Sequence, residues 1–392
     1  MTEADQSDSV SSWQIFKIFL RLGLTSFGGP AAHLGFFHDE FVTRRKWLSA
    51  EAFGEVVALC QLLPGPASSQ VGLTIGLLRG RYQGAFAAWL GFTLPSALLM
   101  TLFAFGLTLW PEVGSGGWIH GLKLFVVAVV AQAVWQMGRV LCPDRSRLVI
   151  ALLVACVLLL VGAAWMQILT LALAALAGAH LSLSSRKAAE TMNVALHVRK
   201  PWWFAVGFAG LLVLSLLPQQ AGSLTWVGAE LYRAGALVFG GGHVVLPWLQ
   251  EGFVESGQMA ADTFLAGYGA AQAVPGPLFT FSAFLGAVEA GVSGAMIAVL
   301  AVFLPGTLLV FAGLPLWRWI RKHEKARSAL AGVNAGVVGL LLAALYDPVW
   351  TSAVHGAMDL AIVLGLWLAL AVLRWPVWGL APVSAILGAV IF

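Results

Sequence analysis

Apolar residues in this chain gather in long runs, and thirteen such runs follow one another from end to end. They lie near 13–37, 53–78, 84–110, 118–141, 148–163, 165–182, 201–217, 224–250, 263–288, 294–317, 328–346, 357–373 and 377–392. A helix crossing a hydrocarbon core of about 30 Å needs about 17–25 such residues, whereas a surface helix would show one polar face. The pattern predicts an all-α polytopic membrane protein. The longest polar connection, Ser182–Lys200, carries Arg186, Lys187, Arg199 and Lys200 and reads as a linker between two halves.

Composition narrows the class. Of 392 residues, 59% are hydrophobic and 10% are charged, against about 25% charged in soluble domains. Seventeen Trp and 44 Gly suit interfacial anchoring and close helix packing in a bilayer. Residues 1–12 are polar and acidic, and the apolar run behind them is too long for a secretory signal. Cys60, Cys142 and Cys156 are odd in number and show no metal-ligand spacing. The sequence contains neither G-x-x-x-x-G-K-[ST] nor H-E-x-x-H, so P-loop ATP binding is excluded and no cofactor or metal is expected. The net charge of +4 reflects basic short loops and does not point to nucleic acid.

The chain repeats itself. Arg21 through Phe27-Gly28-Gly29-Pro30 matches Arg233 through Phe239-Gly240-Gly241-Gly242 at a shift of 212 residues. Gln61-Leu-Leu-Pro64-Gly65-Pro66 matches Gln272-Ala-Val-Pro275-Gly276-Pro277 at 211, Leu94-Pro95 matches Leu304-Pro305 at 210, and Gly121-Leu-Lys123 matches Gly332-Val-Asn334 at 211. Internal duplication is a usual construction of secondary transporters. Charge indicates that the halves are inverted, because Lys and Arg in short loops mark the cytoplasmic side. Arg44, Arg45 and Lys46 precede the first Pro-Gly-Pro segment and Arg79 and Arg81 follow it; the matching loops of the second half hold Glu251, Glu255, Asp262 and Glu289. The next loop reverses the pattern, with no basic residue in 111–117 but Arg318, Arg321, Lys322, Lys325 and Arg327 in its counterpart. Re-entrant hairpins at 13–37, 53–78 and their counterparts keep both basic flanks inside. The expected scheme is nine crossings and four hairpins, with 201–217 as the unpaired crossing that turns the second half over. Thirteen full crossings would put Arg139, Arg145, Arg147 and the linker on the outer face.

The breaks supply candidate chemistry. Pro64 and Pro66 lack N–H groups and clash with the preceding turn, so a continuous helix through both is not expected. Broken backbone at membrane depth is tolerated only against protein or a water-filled cavity. Proline also favours the first position of a helix. Half-helices starting behind Pro66 and Pro277 would aim the amides of Ala67, Ser68 and Ser69, and of Leu278, Phe279 and Thr280, into the breaks. Gly28-Gly29-Pro30 and Gly240-Gly241-Gly242 look like further breaks. Helix N-termini attract anions, each by about 0.3–1 kcal/mol, so several must converge. Arg21 and Arg233 suit tetrahedral oxyanions. Arg21 otherwise snorkels to the interface, and Arg233 otherwise pairs with Glu230 three residues earlier. Lys123 and Asn334 face a cavity or the headgroup boundary. Glu55, His33 and His243 read as local polar groups, Arg79 and Arg81 as topology signals or anion guides. His355 and Asp359, four apart, resemble an intramembrane acid–base pair only faintly; an ordinary capped helix start explains them better.

Together these motifs resemble the chromate ion transporter (CHR) family in its long-chain, two-domain form. The residues carrying the resemblance are Phe27-Gly28-Gly29-Pro30, Leu62-Leu63-Pro64-Gly65-Pro66, Phe239-Gly240-Gly241-Gly242, Val274-Pro275-Gly276-Pro277, Gly332-Val-Asn334-Ala-Gly and Tyr346-Asp347-Pro348, and they cover the chain from about Trp13 to Pro348. Pro30 gives way to Gly242 in the second half, so the two breaks need not share one geometry. The resemblance implies antiparallel halves and outward transport of chromate across the inner membrane, with sulfate as its tetrahedral mimic. The expected organisation is a polar tail (1–12), a first CHR-type repeat (13–182), a basic cytoplasmic linker (183–200), a connecting helix (201–223) and a second repeat (224–392). Substrate contacts are expected from Arg21, Gly28, Gly29, Pro30, Pro64, Gly65, Pro66, Ser68, Ser69, Lys123, Arg233, Gly240, Gly241, Gly242, Pro275, Gly276, Pro277 and Asn334. Expected partners are chromate, sulfate and bilayer lipid, with a homodimer left open and no nucleic acid. Transport of another oxyanion, and an intramembrane enzyme, are the competing functions.

Overall fold

The structure, a computed structural model, describes residues 10–27, 29–109, 116–161, 165–183, 198, 200–238 and 244–392. Regular structure among the described residues is entirely helical. The first half comprises α1 (Ser12–Thr25), α2 (Gly29–His38) with a π-helical turn over Asp39–Arg44, α3 (Ala50–Leu62), α4 (Ala67–Leu109), α5 (Gly117–Leu141), α6 (Arg145–Leu160) and α7 (Trp165–His180). After α8 (Trp202–Ser215) the series recurs as α9 (Leu224–Leu237), α10 (Val245–Gln250) with a π-helical turn over Glu251–Glu255, α11 (Ala261–Ala273), α12 (Phe281–Lys322), α13 (Glu324–Ala344), α14 (Ala357–Ala371) and α15 (Val377–Ile391).

Local chemistry sets the ends of these helices. Ser11 and Ser223, at matched positions, accept from the N–H groups of Gln14 and Trp226 and cap α1 and α9; Ser49 and Asp144 cap α3 and α6 in the same way. Both Pro-Gly-Pro segments interrupt the helices as expected. Gly65 and Gly276 hold φ of +118° and +102°, which L residues rarely adopt. α4 and α12 each contain a second, sharper reversal, at Gly80–Arg81 and Ala290–Gly291. Around it Gly76 faces Gly84, and Gly286 faces Gly294, backbone against backbone. Each long helix is therefore a short arm folded back on a long crossing arm.

The short arm of α4 returns to the membrane face from which α3 started. Arg79, at its end, donates to the carbonyl of Trp47, just before α3, and stacks 5.7 Å over the Trp47 ring. α3 and this arm are each about 20 Å long, two sides of a re-entrant hairpin whose tip is Leu63–Pro66. Cysteines placed singly at Lys46 and Arg79 should therefore both react with an impermeant thiol reagent from the cytoplasmic face. Reaction from opposite faces would disprove the hairpin.

Packing direction shows that the halves are inverted. α5 runs antiparallel to α15, since Gly117 lies against Gly388 and Gly121 against Ser384. α13 runs antiparallel to α7, since Gly332 lies against Ala174 and Gly178, and Gly336 against Leu171. Arg147, at the start of α6, donates to the carbonyl of Leu183 just past α7, which closes α6 and α7 into a hairpin. Three residues join α5 to α6, so α5 and α7 point the same way and α13 points oppositely to its counterpart α5. Each half thus contributes a helical pair that packs against the long helix of the other.

Four spans are long and apolar enough to cross by length alone: Ala67–Leu109, Gly117–Leu141, Leu278–Gly313 and Glu324–Trp350. The other expected crossings, α6, α7, α8, α14 and α15, have 14–16 residues, about 21–24 Å. They fall short of a hydrocarbon core of about 30 Å, a mismatch met by local thinning, snorkelling flanks or association.

Candidate anion site

The tips of the broken helices meet across the two-fold repeat. The Gly65 N–H donates to the carbonyl of Val238, at the end of α9, over 2.7 Å. In the other half the Gly276 N–H donates to the carbonyl of Ser26, at the end of α1, over 2.9 Å. The same reciprocity governs the crossing arms. Gly65 lies against Gly306 and Gly276 against Ser96, each one residue past the matched prolines Pro305 and Pro95. Each Pro-Gly-Pro turn is therefore held by the opposite half.

Donors converge on this contact. The Gln70 N–H is the first in α4 to reach back, to the Pro66 carbonyl over 3.0 Å, so the amides of Ala67, Ser68 and Ser69 precede the helical ladder. In the second half the Thr280 N–H reaches the Pro277 carbonyl, leaving Leu278 and Phe279 ahead of the ladder. Pro66 and Pro277 are buried. His33 Nδ1 lies 3.3 Å from Ser68 Oγ, and its ring meets Phe92 edge-on at 5.2 Å. Gln70 Nε2 donates to the carbonyls of Pro64, at 2.8 Å, and Gly306, at 3.3 Å, tying the tip of one half to the crossing helix of the other. Ser26 Oγ, His33 Nε2, Ser69 Oγ, Gln70 Oε1, Thr93 Oγ1 and Ser282 Oγ are buried and make no hydrogen bond among the described residues. Each such group costs about 1–3 kcal/mol when left unmade. The hydroxyls of Ser26, Ser69, Thr93 and Ser282 can donate to a polar guest, whereas Gln70 Oε1 can only accept.

The expected site residues divide. Pro64, Gly65, Pro66, Ser68 and Ser69, with Pro275, Gly276 and Pro277, form the two central turns and their helix starts. The amides of Gly65 and Gly276 are already spent on the opposite half, so those two glycines hold the contact. Gly29, at φ +78°, and Pro30 begin α2 at the first break. Gly28, Gly240, Gly241, Gly242 and His243 lie outside the described residues. Arg233 pairs with Glu230, the local alternative foreseen from their spacing. Arg21 is exposed on α1. Lys123 is buried and binds Asp262 at the start of α11 over 2.9 Å, an ion pair between the halves away from the tips. Asn334 Oδ1 is buried on α13 without a partner among the described residues. Asp359 accepts from the N–H groups of His355 and Gly356 and lies 2.8 Å from His120 Nε2, so it caps α14 as the simpler alternative held.

Sequence reasoning passed over Gln70, Ser26, Thr93 and Ser282, and took His33 for a satisfied local group. A usable signal was present: each is a polar residue within a few positions of a break or of a mid-membrane proline. The two repeats also differ in kind here. Ser68, Ser69 and Gln70 correspond to Phe279, Thr280 and Phe281, so the first half supplies a polar wall and the second an aromatic one.

Comparison with known proteins gives a consistent picture. The sequence profile of the chromate transporter family matches residues 13–179 and again 225–391. A chromate transport protein of Pseudomonas aeruginosa is 32% identical over 340 residues, covering 85% of this chain and 80% of the relative. One from Cupriavidus metallidurans is 28% identical over 350 residues, covering 85% and 81%. A probable chromate transport protein of Synechococcus elongatus is 27% identical, covering 85% and 83%. No solved structure matches significantly.

Proposed function

Because this chain belongs to the chromate transporter family, we propose that it exports chromate from the cytoplasm across the bacterial inner membrane by alternating access at the contact between its inverted halves. The observation carrying this reading is the reciprocal closure of the two Pro-Gly-Pro turns on the opposite half. Such a contact has two equivalent ways to open, one toward each membrane face, when one hairpin pair rocks against the other. The donors around it suit a tetrahedral oxyanion: amides at the start of α4 and α12, and the hydroxyls of Ser26, Ser69, Thr93 and Ser282. An inside-negative potential favours the outward passage of each negative charge by about 2.3 kcal/mol per 100 mV, a driving force for export either uncoupled or by exchange.

The test is chromate accumulation in a sensitive host with and without the gene, paired with chromate uptake into inside-out vesicles. Expression should lower intracellular chromate, and vesicles should take it up. Unchanged accumulation together with inert vesicles would overturn the proposal. Sulfate shares the shape and charge of chromate and should compete for uptake. Sulfate transport with no chromate transport would reassign the substrate and leave the site in place.

A further inference from the structure

The surface of α1 is divided lengthwise into three sectors. Ile15, Ile18, Phe19, Leu22 and Gly23 face the core. Trp13 and Leu24, 64% and 51% exposed, form an apolar sector on the opposite side. Between them runs a third strip, Gln14, Lys17, Arg21 and Thr25, every member polar and exposed. The spacings of three, four and four residues confine it to an arc of about 80° over about 16 Å of helix.

The strip joins two distinct places. Its outer end lies by the basic turn at Arg79 and Arg81, which the charge pattern assigns to the cytoplasm: the Val10 carbonyl, just before the Ser11 cap, lies near Gly80. Its inner end is the central break, since Thr25 precedes Ser26, whose carbonyl holds Gly276. Next to it Phe27 meets Trp378 of α15 at 5.4 Å, and the exposed Arg374 precedes that helix by one turn. The counterpart strip on α9 is Trp226, Ala229, Arg233 and Leu237. There Trp226 and Ala229 are buried and Arg233 is paired, so the repeat has kept the strip on one face only. Snorkelling accounts for Lys17, whose ammonium lies 5.3 Å over Trp13. It does not account for Arg21, about 14 Å along the helix, with the uncharged Gln14 in the same arc; Thr25 donates to the Arg21 carbonyl over 2.8 Å.

We propose that this strip lines a water-filled cytoplasmic approach along which an oxyanion passes Lys17 and then Arg21 to reach Ser26 at the central contact. The anion's use of it rests on the transport function proposed above; the wetness of the cleft does not. Two aligned cations in a low-dielectric wall focus the field along the cleft and raise the local anion concentration.

Single cysteines decide the point in a background lacking Cys60, Cys142 and Cys156. In inside-out vesicles, Lys17→Cys and Arg21→Cys should react with an impermeant methanethiosulfonate roughly tenfold faster than Leu20→Cys and Leu24→Cys, because only a hydrated thiol forms thiolate. Sulfate should slow the reaction at position 21. Equal rates at all four positions would overturn the cleft. In transport, Lys17→Gln should raise the KM for chromate about fivefold, and Lys17→Arg should restore it. An unchanged KM with fast labelling would leave a wet cleft that the anion does not use, and the proposal would be wrong. Should the wild type carry no chromate, the assigned function fails, while the labelling contrast and its sulfate protection still stand or fall by themselves.

Discussion

Replacing Gly65 with alanine should slow transport about tenfold or more. Two independent costs act at this position. A side chain at φ +118° is strained by about 1–3 kcal/mol. Its Cβ would also sit 3.0 Å from Gly306 Cα, a backbone atom that no rotamer change can move. Both costs fall on the closed contact, where the Gly65 amide binds Val238. The matched Gly276→Ala should be milder, because its sharpest clash is with Ser96 Oγ at 2.7 Å, the end of a side chain. Ser96→Gly should then partly rescue Gly276→Ala, whereas trimming Gln70, whose Nε2 lies 3.0 Å from the Gly65 Cβ position, would leave the Gly306 backbone contact in place. Initial uptake rates in vesicles, normalised to folded protein, measure this. Gly207→Ala and Gly365→Ala meet nothing within 4 Å and serve as controls. A Gly65→Ala protein that transports like the controls would show that closure at this turn is not part of the cycle.

A second large effect is expected on folding. A Cβ on Gly332 would approach the Ala174 carbonyl oxygen to 2.0 Å, and one on Gly121 the Ser384 carbonyl oxygen to 2.0 Å. At both positions helices from opposite halves touch backbone to backbone, as small residues allow in membranes. Overpacking usually costs about 1–3 kcal/mol, and more where the obstacle is main chain. Gly332→Leu and Gly121→Leu should therefore fail to yield monodisperse protein in detergent. Gly138→Ala, whose nearest neighbour is 4.0 Å away, should behave as wild type. Monodisperse Gly332→Leu with an unchanged melting temperature would mean that the halves associate by other contacts.

The skeleton of this fold was legible because its signals are local. Pro64-Gly65-Pro66 must break a helix in any surroundings, and the basic run at Arg44–Lys46 marks a membrane face without reference to a partner. The Glu230–Arg233 pair was visible as a three-residue spacing. What stayed hidden depends on distance along the chain. Lys123 appeared as a lone cation near a helix start, and its partner Asp262 lies 139 residues away. Arg21 and Arg233 align in sequence yet differ in surroundings, because the position of Glu230 is held by Ile18 in the first half. The bond from Gly65 to Val238 uses backbone atoms alone and leaves no trace in residue type. His33 looked like an isolated polar residue because its neighbour Ser68 is 35 residues off.

The crossing of helical pairs between halves bears on how the chain is made. α6 and α7 leave the ribosome well before α13, whose glycines receive them, and until it arrives the face of α7 at Gly178 lacks the helix it packs against. Insertion and assembly are therefore separate events: the early repeat resides in the bilayer as a set of unmatched surfaces, and the last-made segments complete it. A chain halted after its first repeat would thread the membrane and still lack its final form, which makes the second repeat a folding partner as much as a duplicate.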